Sequence, residues 1–483
     1  MEYEIHGHVY VDNVLNKHGE IHLRLDNRGL VSLPKISEIV NGLNCSHNIL
    51  TDISELPNEL KSLSCSENKL TSISALPNTL ENLECDDNEL AVLPKLPENL
   101  TFLSCNSNKL SELPNLPDKL KSLCCHENGL TSLPDLSLEL KNLVCNDNLL
   151  QTLPKLPDGL TILRCHRNIM SFLPNLPKEL EFLDCDDNSL MYLPELPDRL
   201  ISLYCSSNLL DYLPELPDNL KFLRCVYNNL RLIPTLPKYL VTLKCDRNQL
   251  RWLPELPKNL RYLSCTHNNL TFLPELPETL EYLDCSTNLL TSLPKLPKSL
   301  KYLLCDSNFL TSLPKLPLSV IHINCSANKL VVLPALPFKL NEMNCSVNEL
   351  ESLPELPHKL EYLSCSVNKL TILPKLPVGL IELNCASNEL SYIEDIDFLP
   401  KLLGLYCGQN VYPEEILLIN GKLLPTKQNI AVRKTICRMR KQFYERRRLV
   451  LCSIDSRPSG TIGSWDLGGI NFQNDRDDAC FNK

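Results

Sequence analysis

Polar and apolar positions recur along this chain with a period of twenty residues. In EYLSCSVNKL, residues 361–370, Leu363 and Cys365 alternate with Tyr362, Ser364 and Ser366. Alternation over so short a run predicts a strand with one buried face. NEMNCSVNEL repeats the offsets twenty residues earlier, and IELNCASNEL twenty later. Cysteine returns at every twentieth position from 45 to 385, eighteen times without insertion or deletion, and asparagine follows each three residues on, from 48 to 388. One unit reads L-x-x-L-x-C-x-x-N-x-L-x-x-L-P-x-L-P-x-x. Self-similarity this strict predicts a repeat solenoid in which each unit gives one strand to a parallel sheet. Leu and Cys then line the core, and the residues between them face the open, concave side.

The rest of the unit completes the coil. Each proline of the LPxLP segment lacks an amide donor and restricts the residue before it, so the segment is no helix interior. An extended, polyproline-like convex side fits instead. The ladder asparagine falls where strand becomes loop, and its carboxamide can satisfy backbone groups of its own and the neighbouring unit. At about 4.8 Å per strand the sheet should run for about 80 Å.

Both ends depart from the unit. In residues 19–34, GEIHLRLDNRGLVSLP, Leu23, Leu25, Leu30 and Leu33 hold phase, but Arg28 replaces the ladder asparagine, as suits a cap. The preceding YEIHGHVYV reads as a strand. Residues 1–40 are therefore the expected N-terminal cap and degenerate unit, and 41–410 the array, whose expanded last unit carries Cys407 and Asn410. Beyond it, Pro413 to Ile419 reads as a short helix and Asn420-Gly421 as a turn. Lys427 to Leu451 reads as a basic helix with Val432, Ile436, Met439 and Phe443 on one face. Residues 411–452 are expected to be a C-terminal cap or basic helix, and 453–483, loosened by Gly460, Gly463, Gly468 and Gly469, a flexible tail.

A net charge of -10 argues against general coating of nucleic acid or membrane. The charge is uneven, because Lys427, Arg433, Lys434, Arg438, Arg440, Lys441, Arg446, Arg447 and Arg448 crowd a segment holding one glutamate. Either they stay solvated while the apolar face of their helix caps the array, or they form an arm for nucleic acid, anionic membrane or an acidic partner. Proline interrupts every leucine-rich stretch, so no membrane-spanning helix is expected. The N-terminus, with two glutamates and no long apolar core, does not read as a secretory signal.

Twenty-residue spacing puts the cysteines in a line, without the clustering of a metal site. Neighbouring strands hold equivalent positions about 5 Å apart with parallel vectors, too far for the Cβ atoms of a disulfide. A nucleophilic thiol wants an electropositive, partly exposed setting. Cysteine as a small buried hydrophobe is the plain reading, and so many free thiols imply a reducing, cytoplasmic compartment. Cys124, beside Cys125, is expected to face the groove and is the candidate reactive thiol. No phosphate loop, HExxH pair or nucleophile elbow occurs, so neither catalytic residues nor a metal or other cofactor is expected.

Candidate partner-binding residues lie between the ladder positions. The first groove position holds Phe102, Ile162, Phe182, Phe222, Tyr262, Tyr282, Tyr302 and Tyr362. A scaffold needs none of them to fold, and together they predict an exposed stripe of the kind that marks partner sites. The second position alternates Arg164, Arg224 and Lys244 with Glu84, Asp184 and Asp284. Arg167 and Arg247 extend the basic middle, and Asp86, Asp87, Asp186 and Asp187 make acidic flanks. Cross-strand aromatic pairing that merely stabilises the sheet is the competing reading. The acidic flanks favour a protein or peptide over nucleic acid stacked on the aromatics.

The unit closely resembles the short, bacterial-type leucine-rich repeat marked by LPxLP, with cysteine in a slot usually held by leucine. That repeat is found in secreted bacterial effectors of the invasion-plasmid-antigen and Yersinia-outer-protein kind. Cysteine-bearing variants also resemble leucine-rich repeat proteins of giant amoebal DNA viruses. The match spans roughly residues 23 to 410. It implies a leucine-rich repeat horseshoe that mediates protein-protein interaction, here with a host-cell protein in the host cytoplasm. Those effectors usually begin with a helical hairpin, which YEIHGHVYV does not resemble. Some carry a ubiquitin-ligase domain after the array, using a cysteine followed closely by an aspartate. Cys452-Ser453-Ile454-Asp455 has one residue too many between the two, and the segment after the array is far shorter than such a domain.

Overall fold

The computed structural model describes residues 3–5, 8–10, 13–15, 20–53, 55–394, 396, 399–411, 418–419 and 422–423. The chain divides into two compact units, Met1–Glu415 and Ile416–Lys483. The first unit is a leucine-rich repeat solenoid. β1 (Tyr3–Ile5) and β2 (His8–Tyr10) form an antiparallel pair, where the sequence suggested one continuous strand. β3 (Asn13–Leu15) pairs antiparallel with β4 (Ile21–Arg24), which begins the parallel sheet. β5 (Val40–Asn44) follows, then β6 (Ser62–Ser64) through β22 (Glu382–Asn384), each three residues long, and finally β23 (Gly404–Tyr406). From β5 to β22 the register shifts by twenty residues per strand, so that Leu163 meets Leu183 and Arg164 meets Asp184.

Three large apolar residues, nearly always leucine, and the cysteine of each unit turn inward. Leu220, Leu223, Cys225 and Leu230 are fully buried, and the same phase repeats along the array. A three-residue strand buries too little to stand alone, so stability comes from stacking. The ladder cysteine fits because it is small and can use its weak donor: Cys85 Sγ lies 3.3 Å from Ser104 O in the next strand. The proline-rich half is extended, as expected, and ends in a tight turn in which Leu180 N–H donates to Pro177 O at 3.1 Å.

The asparagine ladder joins the coils. Asn368 Oδ1 accepts Leu350 N–H at 3.0 Å, while its Nδ2 donates to Cys345 O at 3.0 Å, Cys365 O at 3.1 Å and Ser366 O at 3.3 Å. To bring the carboxamide back over its own strand, the residue before it adopts a left-handed backbone. That conformation recurs from Asn27 (φ 54) to Gln409 (φ 58) and includes the β-branched Val347 (φ 56) and Val367 (φ 54). At the N-terminal end Asn48 serves the degenerate unit as well, its Oδ1 accepting both Arg28 N–H (2.9 Å) and Leu30 N–H (3.0 Å). At the other end Asn410 donates to Cys385 O (3.1 Å) and Cys407 O (2.9 Å), which makes the expanded segment a true last rung.

In the second unit β24 (Leu418–Ile419) pairs antiparallel with β25 (Lys422–Leu423). Ile419 is therefore not the end of a helix, because its backbone is committed to a cross-strand pair. The basic segment 427–451, Cys452 to Asp455 and the glycine-rich tail lie outside the described residues. No described helix is long and apolar enough to cross a membrane.

Candidate functional site

The sheet register sets one row of side chains along the first groove position: Phe182, Ser202, Phe222, Thr242, Tyr262, Tyr282 and Tyr302. This row is not the continuous exposed stripe expected from the sequence. Ser202 and Thr242 interrupt it, both buried, and Tyr262 and Tyr282 are only 4% and 3% exposed. The two tyrosine rings stack with centroids 4.3 Å apart and planes 7° from parallel. That is less than the strand spacing of about 4.8 Å, so the pair closes over itself and leaves little surface for a ligand. Tyr302 tilts against Tyr282 at 5.9 Å and stays half-buried.

Phe182 and Phe222 are half-buried, and each basic residue of this stretch stands by a ring or a carboxylate of its own. The Arg164 guanidinium lies 5.0 Å from the Phe182 ring centre, while Tyr204 meets the other side edge-on at 5.4 Å. Tyr204 stands at the second groove position, beside Asp184 in the register, and its contact with Phe182 arises only once the two strands pair. Lys244 Nζ stands 5.2 Å from the Tyr262 ring, and Arg247 4.6 Å from Tyr227 at the exposed rim. Ile162, the cross-strand neighbour of Phe182, is half-buried as well, and so are Phe102 and Tyr362 farther along the row.

The acidic flanks prove to be built partly into the scaffold. Asp86 accepts Asn106 N–H and the Ser104 hydroxyl, both at 2.7 Å. Burial raises its carboxyl above the usual range, against the opposing effect of those two donors. Asp186 is held likewise by Ser206 N–H and sits 3.7 Å from Arg224 Nε. Burial and then the neighbouring Asp184 raise Asp186 to about 7, while Arg224 pulls it down. His166 lies between two carboxylates, 3.0 Å from Asp184 and 3.6 Å from Asp147. Burial alone would lower the imidazole, but the hydrogen bond to Asp184, with the Asp184 and Asp147 charges, outweighs it and leaves it raised. Arg167 reaches Asp147 at 3.2 Å and Asp187 at 3.8 Å. Asp284, only 4% exposed, takes the Ser286 hydroxyl at 2.7 Å. Charges of both signs are thus pinned in place around residues 164–247, leaving Glu84, Asp87 and Asp187 as the exposed acids of the original set.

YopM from Yersinia enterocolitica WA-314 is similar at 40% identity, with a TM-score of 0.80, over 82% of this chain and 88% of that one. The chain belongs to the YopM-like, bacterial-type leucine-rich repeat proteins. YopM of Yersinia pestis, described as a leucine-rich effector protein, is also 40% identical, over 63% of this chain and 88% of that one, with a TM-score of 0.59. The plant peptide hormone receptor RGFR1, solved in complex with RGF2, shares the fold alone at 22% identity and a TM-score of 0.53, over 83% of each chain. No protein-family model and no curated protein matches the chain.

The cysteines of this leucine-rich repeat array are poor nucleophiles. Burial pushes the ladder thiols far up, Cys145 and Cys325 to about 12. Cys124 does face the groove and is part-exposed, but burial raises it too, to about 11, despite a hydrogen bond with Ser122. At neutral pH it is a protonated thiol, which removes the reason to expect special reactivity there.

Proposed function

We propose that this protein is a non-enzymatic leucine-rich repeat scaffold whose concave face binds a protein or peptide partner around Phe182, Phe222, Tyr302, Arg164, Arg224, Lys244 and Arg247. One observation carries the reading. The buried positions are nearly invariant from unit to unit, whereas the groove positions between residues 162 and 247 vary and hold a half-buried aromatic beside ordered charges. Preorganised charge with an aromatic anchor suits recognition, since little side-chain freedom remains to be lost on binding. Tyr262 and Tyr282 contribute a rigid wall to that site in place of a contact surface. A relative described as an effector supports a host-cell protein as the partner, met in the reducing host cytoplasm where the thiols stay reduced.

The test compares wild type with Phe182→Ser/Phe222→Ser in affinity capture from a host-type cell lysate, read by mass spectrometry. Serine already occupies this position at Ser62, Ser122 and Ser202, so the variant should fold. A protein lost only from the variant supports the groove. Equal recovery by a folded variant sinks it.

A further inference from the structure

The repeat phase creates a second surface on the convex side. Where backbone is polyproline-like, with about three residues per turn, side chains three apart share an edge. Leu250 and Leu253 turn inward, 0% and 4% exposed, and Leu256 packs against the core. Trp252, Glu255 and Lys258 face solvent as the outer row. The residue at the Trp252 position is serine in several units, among them Ser72, Ser132, Ser292, Ser312 and Ser352. In six consecutive units it is large and apolar instead: Phe172, Tyr192, Tyr212, Leu232, Trp252 and Phe272, each between 44% and 56% exposed. At about half of ~200 Å² apiece, they expose roughly 600 Å² of apolar side chain, the upper end for one patch on a monomer.

Charge follows the same units. Three residues after the aromatic stand Glu195, Glu215, Glu255 and Glu275, all exposed and without an ion pair among the described residues. Elsewhere the commonest residue at this position is lysine, at Lys95, Lys155, Lys295, Lys315 and Lys375, against acids at Glu55, Asp135 and Glu355. Four of the six apolar units thus add an exposed glutamate, and the next outward position balances, with Lys178, Lys238 and Lys258 against Asp198, Asp218 and Glu278, so the stripe is acidic on balance. We propose that this convex stripe docks an extended basic segment of a partner protein, with apolar side chains on the aromatic row and Lys or Arg on the glutamates. A second copy of the chain would bring the same carboxylates to one patch, and an anionic membrane would be repelled by them. The surface lies on the opposite side of the coil from the groove, so the two readings stand or fall separately.

The probe is a fluorescein-labelled dodecapeptide of alternating leucine and lysine, with an alternating leucine and glutamate peptide as control, titrated against the full chain by anisotropy. Two variants use residues the chain already places at these positions: Tyr212→Ser/Trp252→Ser and Glu215→Lys/Glu255→Lys. Each should keep the wild-type circular dichroism and weaken the basic peptide at least tenfold, whereas Phe182→Ser/Phe222→Ser should bind it like wild type. Failure of the wild type to prefer the basic peptide would overturn the proposal, as would undiminished binding by the serine variant. So would a dimer in sedimentation, or capture by phosphatidylserine vesicles, that the serine variant loses.

Discussion

Replacing Asn228 by alanine takes out one rung of the ladder in mid-array. Asn228 Oδ1 accepts Leu210 N–H at 3.0 Å, and Nδ2 donates to Cys205 O at 2.9 Å, both in the preceding unit. Its weaker contacts, Cys225 O at 3.4 Å and Val226 O at 3.3 Å, stay within its own unit. The residue is 7% exposed, so water has little access to the two groups left behind. Stranding a buried backbone group costs about 1–3 kcal/mol, and for two that share one site the loss should be about 2–5 kcal/mol. Because a solenoid holds together only through neighbours, that loss falls on a single interface and should split guanidinium unfolding into two transitions. Asn228→Asp keeps the shape but turns a second oxygen toward three carbonyls. It should destabilise at least as much at pH 7 and recover as acid protonates the carboxyl. Hydrogen exchange at the Leu210 amide gives the local readout. A loss below about 1 kcal/mol with unchanged Leu210 protection would refute the claim that the rung joins the units.

Val367→Asn should stabilise by about 0.5–1.5 kcal/mol, because asparagine tolerates the left-handed backbone that valine resists; a melting temperature that stays or falls would contradict this. Iodoacetamide at neutral pH should leave the eighteen ladder thiols unlabelled in the native protein and label them after unfolding, as peptide mapping can check. Asp186, raised to about 7, retains a proton on folding that the unfolded chain releases. This favours the folded state as pH falls from about 7 toward 4, and raised His166 acts in the same sense by holding its proton to higher pH than in the unfolded chain. Asp186→Asn should therefore flatten the gain in urea midpoint between about pH 8 and pH 5, and an unchanged slope would assign it elsewhere.

The phase of Leu363, Cys365 and Asn368 made the sheet, the core and the ladder legible in the sequence, since each follows from the side chain's position in one unit. What lay beyond was set by neighbours. Tyr262 and Tyr282 read as exposed because each faces outward from its own strand; only the close approach of adjacent strands buries them together. Asp86 and Asp186 read as free acids because their hydrogen-bond donors belong to the next coil. The left-handed residue left no mark, as the position accepts His47, Arg167, Tyr227 and Val367 alike. The convex aromatics were legible in principle, from the same phase counting applied to the proline-rich half. Ile419 misled because a short polar and apolar mixture after a proline suits helix and hairpin equally.

Every interface between coils from Cys45 to Cys385 uses the same cysteine and asparagine in the same register, with leucine at the positions in phase with Leu220, Leu223 and Leu230 but for Val40, Met170, Val320, Ile323 and Met343. Adjacent units are therefore interchangeable parts at the level of the gene. A deletion or duplication of twenty codons, starting anywhere in the array, rejoins a leucine to its proper neighbour and yields a shorter or longer protein with every rung intact. One of nineteen or twenty-one codons alters the phase at the junction and leaves one unit unable to dock. Recombination between near-identical repeats produces whole-unit changes as a matter of course. The length of the array, and with it the sequence of surface residues it displays, can thus change in a single event without a new fold having to be found.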